Sequence, residues 1–341
     1  MDSISVIIPT YNSGLDLTEA VESALAQTYA PVEIIVIDDG STDDTEEICA
    51  RFPAPVRYLK QPKTGVAAAR NRAVREAKGT WIAYQDADDI AEPTRLETQM
   101  AVLKTFPHVR WCFGNGSVMD PDGRTIPGTS LRSLVPVFKE MGLAEEEFFA
   151  LDLQAHTVEA AGKRHSVFTG DMFRLLFLGS VVFPSATVIA RDFMLEVGPF
   201  DEQFRVASDT EFFHRAAAKA PVAFIATPLF RCRRGHGTNL TGARDSTRLI
   251  LTGLESQRRA AALRPLTDAE AETVRVGRQR IYERLAYAHL TVYRPREARD
   301  AMRRAYAEGA PRSAHNLFVS AAACLPAPLL RLAHLLKRLP G

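Results

Sequence analysis

Three carboxylates lie within four residues at Asp86, Asp88 and Asp89, directly after the apolar run Trp81–Tyr84. Left unpaired at the end of a strand, these side chains would repel one another. A hard divalent cation takes oxygen ligands, so it would relieve the repulsion and could hold a diphosphate at its open positions. The alternative is a solvated acidic turn, which is common on protein surfaces. The neighbouring segments decide between the two interpretations.

Two other polar segments follow predicted strands in the same way. The runs Ser5–Pro9 and Glu33–Asp38 are short, continuous and rich in β-branched residues, which is typical of strands buried on both faces. Residues 10–12 (Thr-Tyr-Asn) follow the first run, and residues 39–41 (Asp-Gly-Ser) follow the second. Ligands of an α/β sheet usually bind beyond the carboxyl ends of its strands, so we expect the three polar clusters to converge at one sheet edge.

The rest of the chain predicts the frame that holds these clusters. Strands and helices alternate, which predicts a mostly parallel central sheet with helices on both faces. From residue 249 onward the pattern is nearly all helical, with breaks at prolines 265, 295 and 311. The other predicted elements are strands at 56–59, 81–84 and 185–190 and helices at 65–78, 144–155 and 209–219.

Composition indicates an ordinary globular protein of two domains, or of one large domain with an appendage. The chain has 341 residues, of which 46% are hydrophobic and 24% are charged. Its four cysteines form no CxxC pair, so neither a zinc site nor a disulfide framework is expected, and a reducing cytoplasm fits best. The N-terminus leads directly into a strand without a signal-peptide pattern, which again predicts a cytoplasmic protein.

Charge is distributed unevenly along the chain. Residues 248–341 carry 17 Lys and Arg against 8 Asp and Glu, a net charge of +9, while the preceding residues carry −8. A basic tail favours an anionic partner such as a membrane surface over nucleic acid, and a solvated arginine-rich helical face is the alternative. Residues 329–339 predict an amphipathic, cationic helix, which would either lie in a membrane interface or pack on protein.

The motifs in their order resemble the family 2 glycosyltransferases of GT-A fold. The match runs through most of residues 3–110, resumes near residue 198, and leaves residues 115–180 and the tail beyond about 250 outside it. The segments that carry the resemblance are Pro9–Asn12, Val36–Asp43, Gly65–Ala73, Asp86–Asp89, Gly198–Glu202, Ala207–Phe213 and Arg233–His236.

The resemblance implies a GT-A (Rossmann-like), mostly parallel central sheet flanked by helices, with an α-helical C-terminal appendage. Residues 1–110 would form the nucleotide-sugar-binding half of the GT-A domain. Residues 111–250 would form the acceptor-binding half, and residues 251–341 the helical C-terminal region.

The same resemblance assigns donor-binding residues. Pro9, Thr10 and Tyr11 would lie beside the nucleoside, and Asp39 would accept a hydrogen bond from the base. Arg70 would reach toward the nucleotide, although it could instead simply pair with a surface carboxylate. Asp86 would line the sugar-nucleotide site. The family often uses uridine, and thymidine would offer Asp39 the same hydrogen bond.

A metal site and a general base follow from the resemblance as well. Asp88 would be the main ligand of Mn²⁺ or Mg²⁺ and Asp89 would support it. His236 would contact the metal or the diphosphate, with Arg233 or Arg234 as alternative phosphate contacts. Asp209 would be the general base, but it opens a helical stretch and could instead be an N-cap.

These roles imply an inverting, metal-dependent glycosyltransferase of the hexosyltransferase type. A divalent cation lowers the cost of charge on the diphosphate leaving group, and a carboxylate draws a proton from the poorly nucleophilic acceptor hydroxyl. The acceptor would be a glycan or a lipid-linked molecule in cell-surface polysaccharide or glycolipid synthesis, reached from the cytoplasm or the inner face of the membrane. The alternatives are a non-catalytic sugar-nucleotide-binding module and a nucleotidyltransferase, although residues 9–14 lack the triphosphate loop that the latter usually needs.

Overall fold

A computed structural model describes residues 2–234 and 247–326. These two stretches form two compact units, one from each stretch. His236 and the amphipathic helix predicted at 329–339 lie outside the described residues. The division of the first unit near residue 110 stays a prediction.

A mixed sheet organises the first unit. Within the described residues its strand order is β3-β2-β1-β4-β9-β6-β10-β8-β7, with β5 paired to β10. The strands are β1 (Ile4–Thr10), β2 (Glu33–Asp38), β3 (Val56–Lys60), β4 (Trp81–Tyr84), β5 (Ile90–Ala91), β6 (Trp111–Met119), β7 (Gln154–Ala160), β8 (Lys163–Gly170), β9 (Thr187–Ala190) and β10 (Val222–Arg233).

The four N-terminal strands β1 to β4 are mutually parallel. Their continuous apolar sequences bury both faces, as an open parallel sheet covered by helices requires. Strand β9 then runs antiparallel to both β4 and β6, and β10 runs parallel to β6. The predicted mostly parallel central sheet flanked by helices is confirmed, with antiparallel strands added beyond β4.

Helices cover the sheet. Val6 and Ile8 belong to one core cluster with Leu17 and Met100, whereas Ile7 is equally buried and points to the opposite face, as strand alternation dictates. The helices of this unit are α1 (Gly14–Leu25), α2 (Thr45–Cys49), α3 (Val66–Glu76), α4 (Arg95–Thr105), α5 (Leu131–Leu134), α6 (Pro136–Met141), α7 (Glu145–Phe149), α8 (Phe173–Leu176), α9 (Arg191–Val197) and α10 (Ser208–Lys219).

The predicted helix at 144–155 is wrong in its second half. Helix α7 ends at Phe149, and Gln154 already belongs to strand β7, which pairs with β8 as a hairpin. Three consecutive glutamates favour a helix start, but Phe148 and Phe149 are fully buried, and the chain then turns back toward the sheet. Tertiary packing outweighs local helix propensity at this point.

The second unit is helical, as predicted, and its breaks fall at the expected prolines. It contains α11 (Thr247–Ala260), α12 (Asp268–Thr291), α13 (Pro295–Ala307) and α14 (Ala314–Ala322). Leu285, Met302 and Val319 join α12, α13 and α14 in one small core. Within the described residues, no helix is both long enough and apolar enough to cross a membrane.

Candidate active site

The carboxyl ends of β2, β1 and β4 bring the three polar segments to one edge of the sheet, as the sequence predicts. Thr10 pairs in register with Asp38, and the backbone N–H of Asp39 donates to the carbonyl of Thr10 at 2.9 Å. The N–H of Gln85, directly after β4, donates to the carbonyl of Ile7 at 3.0 Å. Adjacent parallel strands therefore end in adjacent clusters.

Asp38 is a structural carboxylate. It is fully buried, and its Oδ1 accepts hydrogen bonds from the backbone N–H and the hydroxyl of Ser41 at 2.8 and 2.6 Å. Its Oδ2 accepts from the phenol of Tyr58 at 2.6 Å. Gly40, between Asp38 and Ser41, has φ +83°, and a Cβ there would lie 2.9 Å from the backbone N of Lys63. The tight turn after β2 therefore requires glycine.

Asp39 joins the end of β2 to the segment that starts α3. Its Oδ1 accepts from the Thr64 N–H at 2.9 Å and from Gln61 Nε2 at 2.9 Å, and its Oδ2 accepts from the Gly65 N–H at 2.7 Å. The side chain is buried. Because each carboxylate oxygen can accept two hydrogen bonds, Oδ2 retains acceptor capacity.

The segment after β1 presents one exposed and one buried polar residue. Tyr11 is 40% exposed, and the Nζ of Lys63 lies 3.5 Å from the centroid of its ring. Thr10 is buried, and its Oγ1 has no hydrogen-bond partner among the described residues. An unpaired buried hydroxyl is costly, so it marks a position where a ligand would add a missing bond.

The acidic cluster is only partly compensated by protein groups. Asp86 forms an ion pair with Arg70 (Oδ1 to Nη2, 2.8 Å), and its N–H donates to the buried Ser185 hydroxyl at 2.9 Å. Burial raises the pKa of Asp89 well above its ordinary value, and the charges of Asp88 and Asp86 raise that pKa further. Hydrogen bonds from Ser185 and from the Arg233 N–H oppose the rise.

Two buried arginines support this edge from within the protein. Arg95 on α4 donates from Nη2 to the carbonyls of Tyr84 and Thr187 at 2.8 and 3.2 Å, and burial lowers its pKa to about 10. Arg233 donates to the carbonyl of Pro121 at 2.9 Å and pairs with two carboxylates of α1. Its guanidinium is 3% exposed, so it acts as a link between segments.

Arg70 lies between the acidic cluster and α10. It is buried on α3, its Nε has no partner among the described residues, and its guanidinium lies 5.6 Å from the Phe200 ring centroid. Asp209, in the first turn of α10, is half-buried. Desolvation raises the pKa of Asp209, the charge of Arg70 lowers it, and Asp86 raises it.

The alternative role of Asp209 as an N-cap does not fit this helix. The N-cap position is Ala207, which has φ +55°, and the Oδ1 of Asp209 accepts from the adjacent Thr210 N–H at 2.8 Å. A positive φ at a non-glycine residue is strained, and such strain concentrates at functional sites.

A metal at this edge would need ligands in addition to the described carboxylates. Among residues 2–234 and 247–326, no group of three or more His, Cys, Asp or Glu side chains is arranged to hold a metal ion. Asp89 is buried against Ser185 and Arg233, and Asp86 is paired with Arg70, while Asp88 is half-buried. The donor set is all carboxylate, which suits a hard cation such as Mg²⁺ or Mn²⁺, with Asp88 as the most accessible ligand.

Sequence reasoning did not identify several residues that position the site. Ser185, Tyr58, Arg95 and Asn71 each bond to it or to the segments beside it across long stretches of chain. A single sequence gives little signal for such partners. Only Asn71 lay inside a recognised motif.

Comparison with known proteins finds relatives of the first unit. Residues 5–147 match the family model described as Glycosyl transferase family 2. Over 160 residues the chain is 36% identical to an uncharacterized glycosyltransferase, YibD, of Escherichia coli (strain K12), covering 43% of this chain and 46% of that protein. Over 99 residues it is 48% identical to glycosyltransferase GlyG of Streptococcus pneumoniae serotype 4, covering 28% and 33% respectively. The chain thus matches less than half the length of these relatives.

Solved structures share the fold. S. aureus TarS aligns with a TM-score of 0.55 at 18% identity, covering 98% of this chain and 53% of TarS. TarS 1–349 in complex with UDP aligns with a TM-score of 0.56 at 17% identity, covering 94% and 90%. The complex of TarS 1–349 with UDP-GlcNAc aligns with a TM-score of 0.53 at 18% identity, covering 91% and 93%. The predicted GT-A architecture with C-terminal helices is confirmed.

Proposed function

We propose that this chain, whose residues 5–147 match the model of glycosyl transferase family 2, transfers a hexose, with inversion, from a UDP-sugar to an acceptor hydroxyl. The observation that carries the proposal is the partly compensated cluster Asp86–Asp89 beside a buried Arg70 with an unpaired Nε. Mutually repelling carboxylates next to a buried guanidinium suit a cation and an anionic diphosphate together.

Uridine recognition would fall to the segments after β1 and β2. The exposed ring of Tyr11 offers a surface for stacking of the base, and the open acceptor capacity of Asp39 Oδ2 suits an imide N–H. Thr10 Oγ1 would gain the partner that it lacks. The fold relative TarS has structures with UDP and with UDP-GlcNAc, which supports a donor of the same class.

Asp88 would hold Mn²⁺ or Mg²⁺, with Asp89 in support and oxygens of the diphosphate completing the coordination. The cation would neutralise the charge that develops on the leaving nucleoside diphosphate. Arg70 would donate its unpaired Nε–H to the same anion while its Nη2 keeps Asp86 in place. The part assigned to His236 lies outside the described residues and stays a prediction.

Asp209 would be the general base. A carboxylate with a raised pKa holds a proton better than an ordinary aspartate, so it is better suited to accept one from the acceptor hydroxyl. Attack on the anomeric carbon from the side of Asp209, opposite the leaving diphosphate, inverts its configuration. The nearby charge of Arg70 limits the rise in pKa and keeps the carboxylate available in its ionised form.

The acceptor would be a glycan or a lipid-linked molecule used in cell-surface polysaccharide or glycolipid synthesis. The second unit supports a cytoplasmic enzyme that contacts the inner face of the membrane. It carries many arginines, and its helix α14 exposes Leu317 and Phe318 at 51% and 62%. Cationic surfaces with exposed apolar side chains bind anionic lipid interfaces.

Release of the nucleoside diphosphate tests the proposal. A panel of nucleotide sugars is incubated with the full chain, with Mn²⁺, with Mg²⁺ and with a chelator, and the released diphosphate is quantified. Metal-dependent release from UDP-hexoses is the expected result. Binding of UDP without release from any donor would favour the non-catalytic module, and pyrophosphate release from a nucleoside triphosphate would favour a nucleotidyltransferase.

A further inference from the structure

A buried asparagine connects the helix that carries Arg70 with the segment that leads to α10. Asn71 is 4% exposed, and its Nδ2 donates to the carbonyl of Phe200 at 2.9 Å. Its Oδ1 accepts from the Phe200 N–H at 2.8 Å. Nδ2 also donates to Glu202 Oε1 at 3.0 Å. One side chain thus pairs with both backbone groups of a residue 129 positions away.

Phe200, which Asn71 holds, also packs against α10. Its ring stacks on Phe212 of α10 with centroids 4.4 Å apart and meets Tyr84 edge-on at 5.7 Å. Tyr84 is the last residue of β4, two residues before Asp86. Aromatic pairs of this geometry contribute beyond simple burial, so the position of Phe200 and that of α10 are coupled.

Arg215 connects α10 to the chain around residues 197–199. From α10 its Nη1 donates to the Val197 carbonyl at 2.7 Å, and its Nη2 donates to the Pro199 carbonyl at 2.7 Å. It also pairs with Glu211 one turn earlier at 2.8 Å. A displacement of residues 198–202 therefore displaces the first turn of α10, where Asp209 lies.

We propose that Asn71 is a positioning residue that holds Asp209 at its working distance from Arg70 and Asp86. The proposal rests on the function proposed above, in which Arg70 contacts the donor and Asp209 takes the proton of the acceptor. Asn71 follows Arg70 in α3, so one rigid helix fixes both the donor contact and the placement of the base. Small displacements of a catalytic group cost rate far more than they cost substrate binding.

The first test separates turnover from donor binding. In Asn71→Asp the two donor bonds are lost and a carboxylate faces Glu202. We expect kcat to fall roughly 10- to 100-fold, while the donor KM stays within about twofold. The control is Ser5→Ala, which removes a buried hydroxyl that bonds Glu33 at 2.6 Å and the Gly79 N–H at 2.8 Å on the opposite edge of the same sheet. It lowers stability but leaves kcat unchanged.

The pH profile gives a second readout that a merely structural role would not move. Arg70 on α3 and Asp86 after β4 are the charged groups that act on Asp209, and the net effect of Arg70 is to lower its pKa. If the hydrogen bonds between Asn71 and Phe200 are weakened and Arg70 acts less strongly on Asp209, the acid limb of kcat moves to higher pH. In Asn71→Asp/Glu202→Gln, donor and acceptor are exchanged across the 3.0 Å contact while the Phe200 carbonyl still lacks its donor, so kcat and the limb should recover in part.

Hydrogen exchange tests the contact without any need for activity. In Asn71→Ala the Phe200 N–H loses its acceptor, so exchange in residues 198–202 should accelerate while the strands of the sheet stay protected. Unchanged exchange there, or a wild-type kcat and pH limb in Asn71→Asp, would overturn the positioning role. A wild-type protein that releases no diphosphate from any donor would instead overturn the proposed function, and the exchange result would still stand.

Discussion

Two carboxylate clusters, at the ends of the strands β2 and β4 that flank β1, differ in how far protein groups compensate their charge. At the end of β2, Asp38 and Asp39 are buried and receive hydrogen bonds from Ser41, Tyr58 and the backbone before α3. After β4, burial and the charges of Asp88 and Asp86 raise the pKa of Asp89, although Ser185 and the Arg233 N–H donate to it. Both clusters have the same sequence pattern, an apolar strand followed by aspartates.

The difference lies in where the compensating groups come from. The protein supplies the donors for the first cluster, so this cluster shapes the loop on which a nucleoside would rest. At the second cluster the protein partners leave the pKa of Asp89 raised, and within the described residues Arg70 Nε and Thr10 Oγ1 have no hydrogen-bond partner. Buried polar groups are normally satisfied, so unsatisfied groups gathered at one edge indicate a binding site more strongly than acidic residues do alone.

The largest effect on activity is expected for Asp88→Asn. We expect the rate of metal-dependent diphosphate release to fall roughly 10³-fold or more, since about 4 kcal/mol of leaving-group stabilisation would be lost. Thermal unfolding without metal should be unchanged or shifted to higher temperature, because the charge of Asp88 disfavours ionised Asp89. The exposed Asp122, replaced by Asn, is the control for removal of one negative charge. A near-normal rate in Asp88→Asn would place the metal, or its role, elsewhere.

Asp209→Asn should affect activity and stability in opposite directions. The rate falls by about 10³-fold because the base is lost, with donor binding retained. The folded protein raises the pKa of Asp209, so it binds this proton more tightly than the unfolded chain does, and ionised Asp209 lowers stability. The variant should therefore melt at or above the wild-type temperature at pH 7, and this gain should disappear at acid pH, where the carboxyl is protonated in both states. A lower melting temperature at pH 7 would contradict the prediction.

Asp38→Asn should lower the stability of the protein and have little effect on its catalytic rate. An amide NH₂ would face either the Ser41 donors or the Tyr58 hydroxyl, leaving a buried donor without an acceptor. The free energy of unfolding should fall by about 3 kcal/mol, as measured by urea denaturation. The rate per folded molecule should change far less than in Asp88→Asn. Equal loss of activity in the two variants would show that the clusters are not functionally distinct.

The smallest effect is expected for Tyr58→Phe, which removes one hydrogen bond to Asp38. The free energy of unfolding should fall by about 1.5 kcal/mol, with the rate unchanged. Burial and the nearby Asp38 raise the pKa of Tyr58, so its hydroxyl stays a donor and the loss should not depend on pH between 6 and 9. A loss that varies with pH in this range would indicate another protonation state.

The sequence predicts the parallel half of the sheet well because its signals are local. Residues 33–38 and 81–84 match β2 and β4 to the residue. Strand β6 gave no such signal, since Gly114, Asn115 and Gly116 interrupt its apolar pattern. The structure supplies the reason: a Cβ at Gly116 would collide with the ring of Phe230 on the neighbouring β10. Close contact between β6 and β10 thus requires glycines, and these glycines interrupt the apolar pattern by which a strand is recognised in sequence.

For the candidate site, the polar clusters can be predicted from the sequence but their hydrogen-bond partners cannot. The clusters at residues 10–12, 39–41 and 86–89 lie where strand order puts them. Their partners do not follow from sequence, because the bond from Asp86 to Ser185 spans 99 residues and that from Asn71 to Phe200 spans 129. Spacing along the chain reports on turns and helices, whereas these contacts depend on how strands far apart in sequence are ordered.

Arg95 limits how this sequence can vary. Its planar guanidinium reaches the carbonyls of both Tyr84 and Thr187 while a second nitrogen, Nε, bonds Gln99 at 3.1 Å. A lysine has one nitrogen on a flexible stem and cannot hold three fixed acceptors in one plane. The position therefore tolerates neither the usual basic replacement nor an apolar one that would strand two carbonyls. In a mutational scan it should be as intolerant as the carboxylates that follow Tyr84, although it is only 1% exposed.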